Sequence, residues 1–194
     1  MAENFIPYGR QDITDEDINA VIQTLRSEFL TQGPQVPAFE CAIAQTVGAK
    51  YAVAVNSATS ALHVACMALE LGPGDWLWTV PNTFVASANC AIYCGAQVDF
   101  VDIDPATYTM CTSALETKLR AAKDNGRLPK VIVPVHLCGQ SADMNAIAKL
   151  ALVYGVKIIE DASHSIGATH QGGPVGNCKY SDITIFSFHP VKII

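Results

Sequence analysis

The fold is decided by residues 131–162, VIVPVHLCGQSADMNAIAKLALVYGVKIIEDA. The apolar run at residues 131–135 predicts a buried strand. Apolar residues at helical spacing across residues 142–154 predict a helix, and Gly155 is a typical residue to follow its end. A second strand is predicted at residues 156–159. Because two strands joined by a helix usually lie parallel in one sheet with a right-handed crossover, this stretch indicates the α/β class.

The same alternation continues on both sides of this stretch. Strands are predicted at residues 51–55, 76–80, 97–101 and 183–186, and helices at residues 58–71, 84–93 and 113–123. We therefore expect a mostly parallel sheet with helices on both faces, formed by residues 49–194. Residues 1–48 form an N-terminal helical segment, in which Thr14 caps a helix that runs to about residue 27. A second helix is predicted at residues 36–47, and the two form a separate layer or a dimer contact.

Composition narrows the classes of partner and location. The 194 residues are 50% hydrophobic and 15% charged, with a net charge of −6. This balance, without a cluster of Lys and Arg, argues against nucleic acid or acidic membranes as partners. The seven cysteines include no CxxC pair, no signal peptide is recognised, and no apolar run approaches the ~18 residues of a membrane span. We expect a cytoplasmic protein with reduced thiols.

Polar side chains follow several predicted strands, at the edge where ligands bind to parallel sheets. They could all face one crevice, and they are Asn56, Ser57, Asn82, Thr83, Asp102, Asp104, His136, Glu160, Asp161, Ser187 and His189.

The turn at residues 56–60, NSATS, stands between a predicted strand and a predicted helix. Free N–H groups of a first helical turn attract anions, and the hydroxyls of Ser57, Thr59 and Ser60 add donors. An ordinary helix N-cap is the alternative interpretation. A Walker A motif and a GxGxxG motif are both missing, which disfavours ATP and NAD, and the glycine-rich residues 172–176 are interpreted as a turn.

An acid, an aromatic residue and a lysine complete the pattern. Asp161 could bond a protonated ring nitrogen, Phe84 could stack on a planar ring, and Lys192 could form a Schiff base with an aldehyde. His164 could meet a phenolic oxygen. Each residue also has a commoner structural role, such as a helix cap, core packing or a snorkelling lysine. Their combination in chain order indicates a site for pyridoxal 5'-phosphate (PLP).

A metal site is not predicted. Cys90 and Cys94 are four residues apart on one helix face, a spacing that can hold a metal ion. Without a second matching pair, packing of two small apolar thiols is the preferred interpretation.

Five motifs together resemble the DegT/StrS family of sugar aminotransferases, which are PLP enzymes of fold type I. The match runs in order along the whole chain, through residues 56–62, 81–87, 95–104, 160–168 and 186–192. The resemblance implies that Lys192 is the catalytic residue and carries PLP. It also implies further cofactor-binding positions: Asp161 at the ring nitrogen, Phe84 on the ring face, His164 near the phenolic oxygen, and Ala58, Thr59 and Ser187 at the phosphate. Tyr8, Gln32 and Gly33 would approach the substrate.

The resemblance further implies the reaction. An amino group would pass from glutamate to a 4-keto-6-deoxy nucleotide sugar, UDP-linked and on the pseudaminic acid route, in a homodimer. The chain covers roughly half of such a protein and stops before the C-terminal small domain. A truncated or regulatory relative that binds PLP without turnover is the alternative function. A Rossmann-like nucleotide-binding module is weakened by the missing glycine motif.

Overall fold

The computed structural model describes residues 11–192. Within them, the helices are α1 (Asp15–Leu25), α2 (Gln35–Val47), α3 (Ala58–Ala68), α4 (Ala86–Tyr93), α5 (Thr112–Asp124) and α6 (Met144–Tyr154). The strands are β1 (Trp76–Thr79), β2 (Gln97–Phe100), β3 (Val131–Ile132), β4 (Lys157–Asp161), β5 (Thr169–His170), β6 (Gly173–Pro174) and β7 (Ile183–Ile185).

Five strands form one parallel sheet in the order β2-β1-β3-β4-β7. The register sets Leu77 beside Val131 and Ile159 beside Ile183. Strands β5 and β6 form a separate antiparallel pair, so the predicted turn at residues 172–176 contains one short strand. The prediction of a mostly parallel α/β sheet is confirmed.

Apolar side chains of the sheet alternate between two cores, because successive residues of a strand point to opposite faces. Trp78 and Ile158 face a core that α5 and α6 cover with residues such as Leu119. Leu77 and Ile159 face a second core, to which α3 and α4 contribute Leu62, Ala65, Cys66, Ala86, Cys90 and Ala91. Cys90 thus packs as a small apolar residue, and helices cover both faces of the sheet as predicted.

The strand predicted at residues 51–55 is wrong for the described structure, in which this segment has no strand partner. Tyr51 and Val53 are more than three-quarters exposed, at 76% and 78%. The Ala54 N–H instead donates to Glu40 Oε1 at 2.8 Å. A strand needs a neighbour to accept and donate its backbone hydrogen bonds, and an apolar pattern alone does not supply one.

Strand β3 is shorter than predicted, because Pro134 interrupts the ladder. Proline lacks the N–H that a central strand donates. Pairing resumes beyond it, where Val135 forms an isolated bridge with Asp161 and the His136 N–H donates to the Asp161 carbonyl at 3.0 Å. The carboxyl end of β4 is therefore anchored to the segment that follows β3.

The N-terminal helices are present as predicted. Thr14 and Asp17 form a reciprocal capping box at the start of α1, and their hydrogen bonds lower the pKa of the Asp17 carboxyl. In the described part of the chain no residue of α1 is buried. The division of the chain at residue 48 stays a prediction. Among residues 11–192, no helix combines the length and apolarity needed to cross a membrane.

Candidate active site

A cavity of about 400 Å³ opens beyond the carboxyl ends of β4 and β7. Its walls come from the start of α3 and from the segments after β1, β3, β4 and β7. The structure brings seven of the predicted site residues to this cavity, namely Ala58, Thr59, Phe84, Asp161, His164, Ser187 and Lys192.

The remaining candidates have other positions. Gln32 and Gly33 do not line this cavity. Tyr8 lies outside the described residues. The expectation that all the polar residues at strand ends face one crevice is wrong for Asn82, Asp102, Asp104 and Glu160, which do not line the cavity. The others that do line it are Asn56, Ser57, Thr83, His136 and His189.

The start of α3 forms the end of the cavity that suits an anion. Ser57 Oγ accepts the Ser60 N–H at 3.1 Å, so this residue is an N-cap as the alternative interpretation held. The N–H groups of Ala58 and Thr59 belong to the first helical turn, where no intrahelical acceptor exists. Ser187, which is largely buried, lines the same cavity. N-capping and anion binding are therefore compatible here, since they use different N–H groups.

Asp161 ends β4 and is only 4% exposed, and both oxygens of its carboxylate accept hydrogen bonds. Oδ1 accepts the Ser163 N–H at 3.2 Å and the Ser163 hydroxyl at 2.7 Å. Oδ2 accepts the Ser87 hydroxyl at 2.6 Å, and Thr83 Oγ1 lies 2.9 Å from Ser87 Oγ. These donors orient the carboxylate, which is not a helix cap.

Lys192 and His164 meet at the other side of the cavity. Lys192 Nζ lies 3.1 Å from His164 Nε2 and 5.9 Å from the centre of the Phe84 ring. The Cys138 N–H donates to His164 Nδ1 at 3.3 Å, so the proton of a neutral His164 is on Nε2. Partial burial, and then the positive charge of Lys192, lower the pKa of His164, against the opposing charge of Asp161. Neutral His164 carries its proton on Nε2 and donates it to Lys192 Nζ when that amine is in its neutral form, whereas the charged amine leaves two donors facing each other.

Phe84 lies at the cavity and not in either core. Its side chain is 68% exposed, although it follows a strand whose own residues are mostly buried. An aromatic face open to a cavity can stack on a planar ligand, whereas core packing would have buried it.

A second polar cluster adjoins the cavity through His136, and its members are too far apart in sequence for any motif to connect them. His136 is fully buried, its Nε2 lies 2.8 Å from Glu160 Oε2, and its Nδ1 accepts the Ala142 N–H at 3.1 Å. The hydroxyls of Ser181 and Thr184 donate to Glu160 Oε1. This cluster joins the ends of β3 and β4 to the start of β7.

Comparisons with known proteins agree with this geometry. The chain is 41% identical over 189 residues to the spore coat polysaccharide biosynthesis protein SpsC of Bacillus subtilis, an alignment that covers 97% of this chain and 46% of SpsC. The structure of the present chain matches that of PseC from Helicobacter pylori, an aminotransferase involved in the biosynthesis of pseudoaminic acid. That match has a TM-score of 0.87 and 31% identity, and it covers 96% of this chain and 48% of PseC.

The PLP form of a putative sugar aminotransferase from Streptococcus pneumoniae, Spr1654, also matches. The TM-score is 0.86 and the identity 32%, over 96% of this chain and 50% of that protein. The chain thus spans about half the length of these relatives. A family profile matches residues 11–194. The chain therefore belongs to the DegT/DnrJ/EryC1/StrS aminotransferase family.

Proposed function

We propose that the protein is a PLP-dependent enzyme that transfers an amino group from glutamate to a 4-keto-6-deoxy nucleotide sugar. The observation that carries this proposal is the convergence of an amine, a buried carboxylate, an open aromatic face and a helix N-terminus on one cavity. PLP is the cofactor that the family and the PLP and PMP forms of the S. pneumoniae structure indicate.

The residues present fit this cofactor. PLP has a phosphate, a flat ring, a ring nitrogen and an aldehyde, and the cavity offers a partner of the right chemistry for each. The start of α3 with Thr59 and Ser187 suits the phosphate. The Phe84 face suits the ring, the Asp161 carboxylate suits the protonated nitrogen, and the Lys192 amine suits the aldehyde.

A role for each residue follows from this chemical fit. When bound, PLP supplies an electron sink for the carbon that loses its proton. Asp161 would keep the ring nitrogen in its charged form through its own negative charge. Lys192 Nζ would hold the aldehyde of the cofactor and, as a free amine, would move a proton as general base and acid. His164, neutral with its proton on Nε2, can donate to the phenolic oxygen.

The nature of the sugar is the finer part of the proposal. The likeness to PseC supports the pseudaminic acid route. The sequences of residues 6–10 and 186–192 resemble those of the UDP-4-amino-4,6-dideoxy-N-acetyl-β-L-altrosamine transaminase. We therefore assign a UDP-linked substrate. Tyr8, Gln32 and Gly33 are proposed to approach it. We also propose a homodimer in the cytoplasm, a location supported by the seven free cysteines, which all lie within the described residues.

Titration of the purified protein with PLP tests the proposal. We expect a new visible absorption band, and reduction with borohydride should fix the cofactor to the peptide that contains Lys192. Lys192→Ala should lose the band and the modified peptide. Lys179→Ala is the matched control, because Lys179 Nζ lies over the Tyr180 ring and not at the cavity. A wild-type protein that gives no band, or a band that survives in Lys192→Ala, would contradict the proposal.

Turnover separates an enzyme from a relative that only binds PLP. With glutamate, an enzyme converts the visible band to that of the amine form, and added keto sugar restores it. A protein that binds PLP through Lys192 but shows neither change would be the relative without turnover.

A further inference from the structure

Two hydroxyl groups stand in line behind the carboxylate of Asp161. Ser87 Oγ lies 2.6 Å from Asp161 Oδ2, and Thr83 Oγ1 lies 2.9 Å from Ser87 Oγ. Ser87 is completely buried and Asp161 is 4% exposed, so water does not compete for these hydrogen bonds. Thr83 lines the cavity itself.

The direction of these hydrogen bonds follows from chemistry. A carboxylate only accepts, so Ser87 uses its single proton to donate to Asp161. The Ser87 oxygen then accepts, and Thr83 must be the donor. The result is a directed relay from Thr83 through Ser87 to Asp161, in which each bond polarises the next.

The relay leaves a defined part of Asp161 free. A carboxylate has about four acceptor sites. Ser163 occupies two on Oδ1 and Ser87 occupies one on Oδ2. The unused acceptor site belongs to Oδ2, the same oxygen that Ser87 holds, and Asp161 lines the cavity. Rotation of the carboxylate about its bond to Cβ would break these hydrogen bonds.

We infer that Thr83 and Ser87 are positioning residues that aim the free acceptor site of Asp161 at the ring nitrogen of PLP. This inference rests on the proposed function. Thr83 also precedes Phe84 in the segment between β1 and α4, whereas Asp161 ends β4. Through the relay, the segment that carries Phe84 is hydrogen-bonded to Asp161. The aromatic face and the acid, which would contact the same ring, are therefore held in a fixed relative position.

The test is the dissociation constant of PLP in the purified protein freed of cofactor. Ser87→Ala should weaken binding by about tenfold, the usual effect of losing one hydrogen bond to a charged group. Thr83→Val, which keeps the shape but loses the hydroxyl, should weaken it severalfold, and Thr83→Ser should restore it. The ¹⁵N shift of the ring nitrogen in labelled PLP should move toward that of an unpaired pyridine in Ser87→Ala and Thr83→Val.

A double-mutant cycle separates the relay from direct contact of Thr83 with the cofactor. Through a relay, Thr83→Val should add no loss to a protein that already carries Ser87→Ala, whereas direct contact would make the losses add. Additive losses would overturn the inference, and so would wild-type affinity and ¹⁵N shift in Ser87→Ala.

Ser165→Ala is the matched control for removal of a buried hydroxyl. Ser165 is also fully buried, and its hydroxyl donates to the His136 carbonyl at 3.2 Å and not to Asp161. Its PLP affinity should equal that of the wild type. If Ser165→Ala weakens PLP binding as much as Ser87→Ala, the effect is general destabilisation and the inference fails. A wild-type protein that binds no PLP at Lys192 would refute the proposed function itself, whereas normal binding in the relay variants refutes only the inference.

Discussion

His164 contacts a backbone N–H at one ring nitrogen and a lysine amine at the other. Nδ1 accepts the Cys138 N–H, and Nε2 faces the Lys192 amine. Its pKa is lowered from the ordinary value of 6.5 by partial burial and then by the charge of Lys192. The unfolded chain therefore binds the His164 proton more readily than the folded chain. This contribution to stability is present above pH 6.5 and is lost as the pH falls through the folded pKa.

Removing the charge of Lys192 should raise the pKa of His164. We expect Lys192→Met, which keeps an apolar stem of similar length, to move the NMR titration midpoint of the His164 ring upward. Asp161→Asn should move it further down, because Asp161 opposes the lowering. The titration midpoint of His164 must rise in Lys192→Met and fall in Asp161→Asn. A midpoint that stays unchanged in both variants would contradict this electrostatic account.

The sequence was most informative about residues that act from within a motif. Asp161, His164 and Lys192 each stand after a predicted strand, and the carboxyl ends of parallel strands meet at one edge. Ser87 was not recognisable as a partner of Asp161, because the two residues are 74 positions apart and a buried serine on a helix has many possible acceptors. Ser163 could have been found, since a hydroxyl two residues after an aspartate commonly bonds back to it.

At the scale of elements, the helices and the parallel strands were predicted to within a few residues, and the exceptions have physical causes. The apolar run at residues 51–55 predicts a strand, but pairing depends on a neighbour that is distant in sequence. Pro134 shortens β3 through a backbone effect that an apolar run conceals. The order β2-β1-β3-β4-β7 was not predicted, because crossover rules fix handedness and not order.

Removal of two different helix N-caps should have different effects on the free energy of unfolding. Thr14 caps α1, which buries no residue in the described structure, and Asp143 caps α6, which buries Met144, Ile147 and Ala151. Either cap is worth about 1 kcal/mol to its own helix. Asp143→Ala should lower the free energy of unfolding by about that amount, because α6 is part of a core. Thr14→Ala should only speed amide exchange within α1 and leave global unfolding unchanged.

Urea unfolding and hydrogen exchange of both variants provide the measurement. The caps are matched in kind, since each side chain accepts a backbone N–H of the first turn, from Asp17 and from Ala146. Equal losses of global stability in the two variants would show that α1 is coupled to the core as tightly as α6.

At the scale of the whole molecule, residues 51–55 form an exposed apolar segment next to Asn56, which lines the cavity. Tyr51, Val53 and Val55 alternate along a segment that leads into the start of α3, and β7 forms one edge of the five-stranded sheet. In a protein of the relatives' length, about as many residues again would be present. Residues 51–55 have the sequence of a strand but no strand partner among the described residues. We expect the further residues of such a protein to pair with this segment.

We therefore expect Val53→Lys to be costly in a protein of the relatives' length. Val53 is 78% exposed in the described structure, and Leu152 on α6 is 85% exposed. If both side chains stay as exposed in the longer protein as they are among the described residues, each lysine substitution would change the free energy of unfolding by less than about 0.5 kcal/mol. If further residues cover the segment, Val53→Lys should destabilise by roughly 2 kcal/mol or more, since it would bury an unpaired charge, and Leu152→Lys should remain neutral. Urea unfolding of the two variants decides between these outcomes, and equal small effects would show that residues 51–55 stay open to solvent.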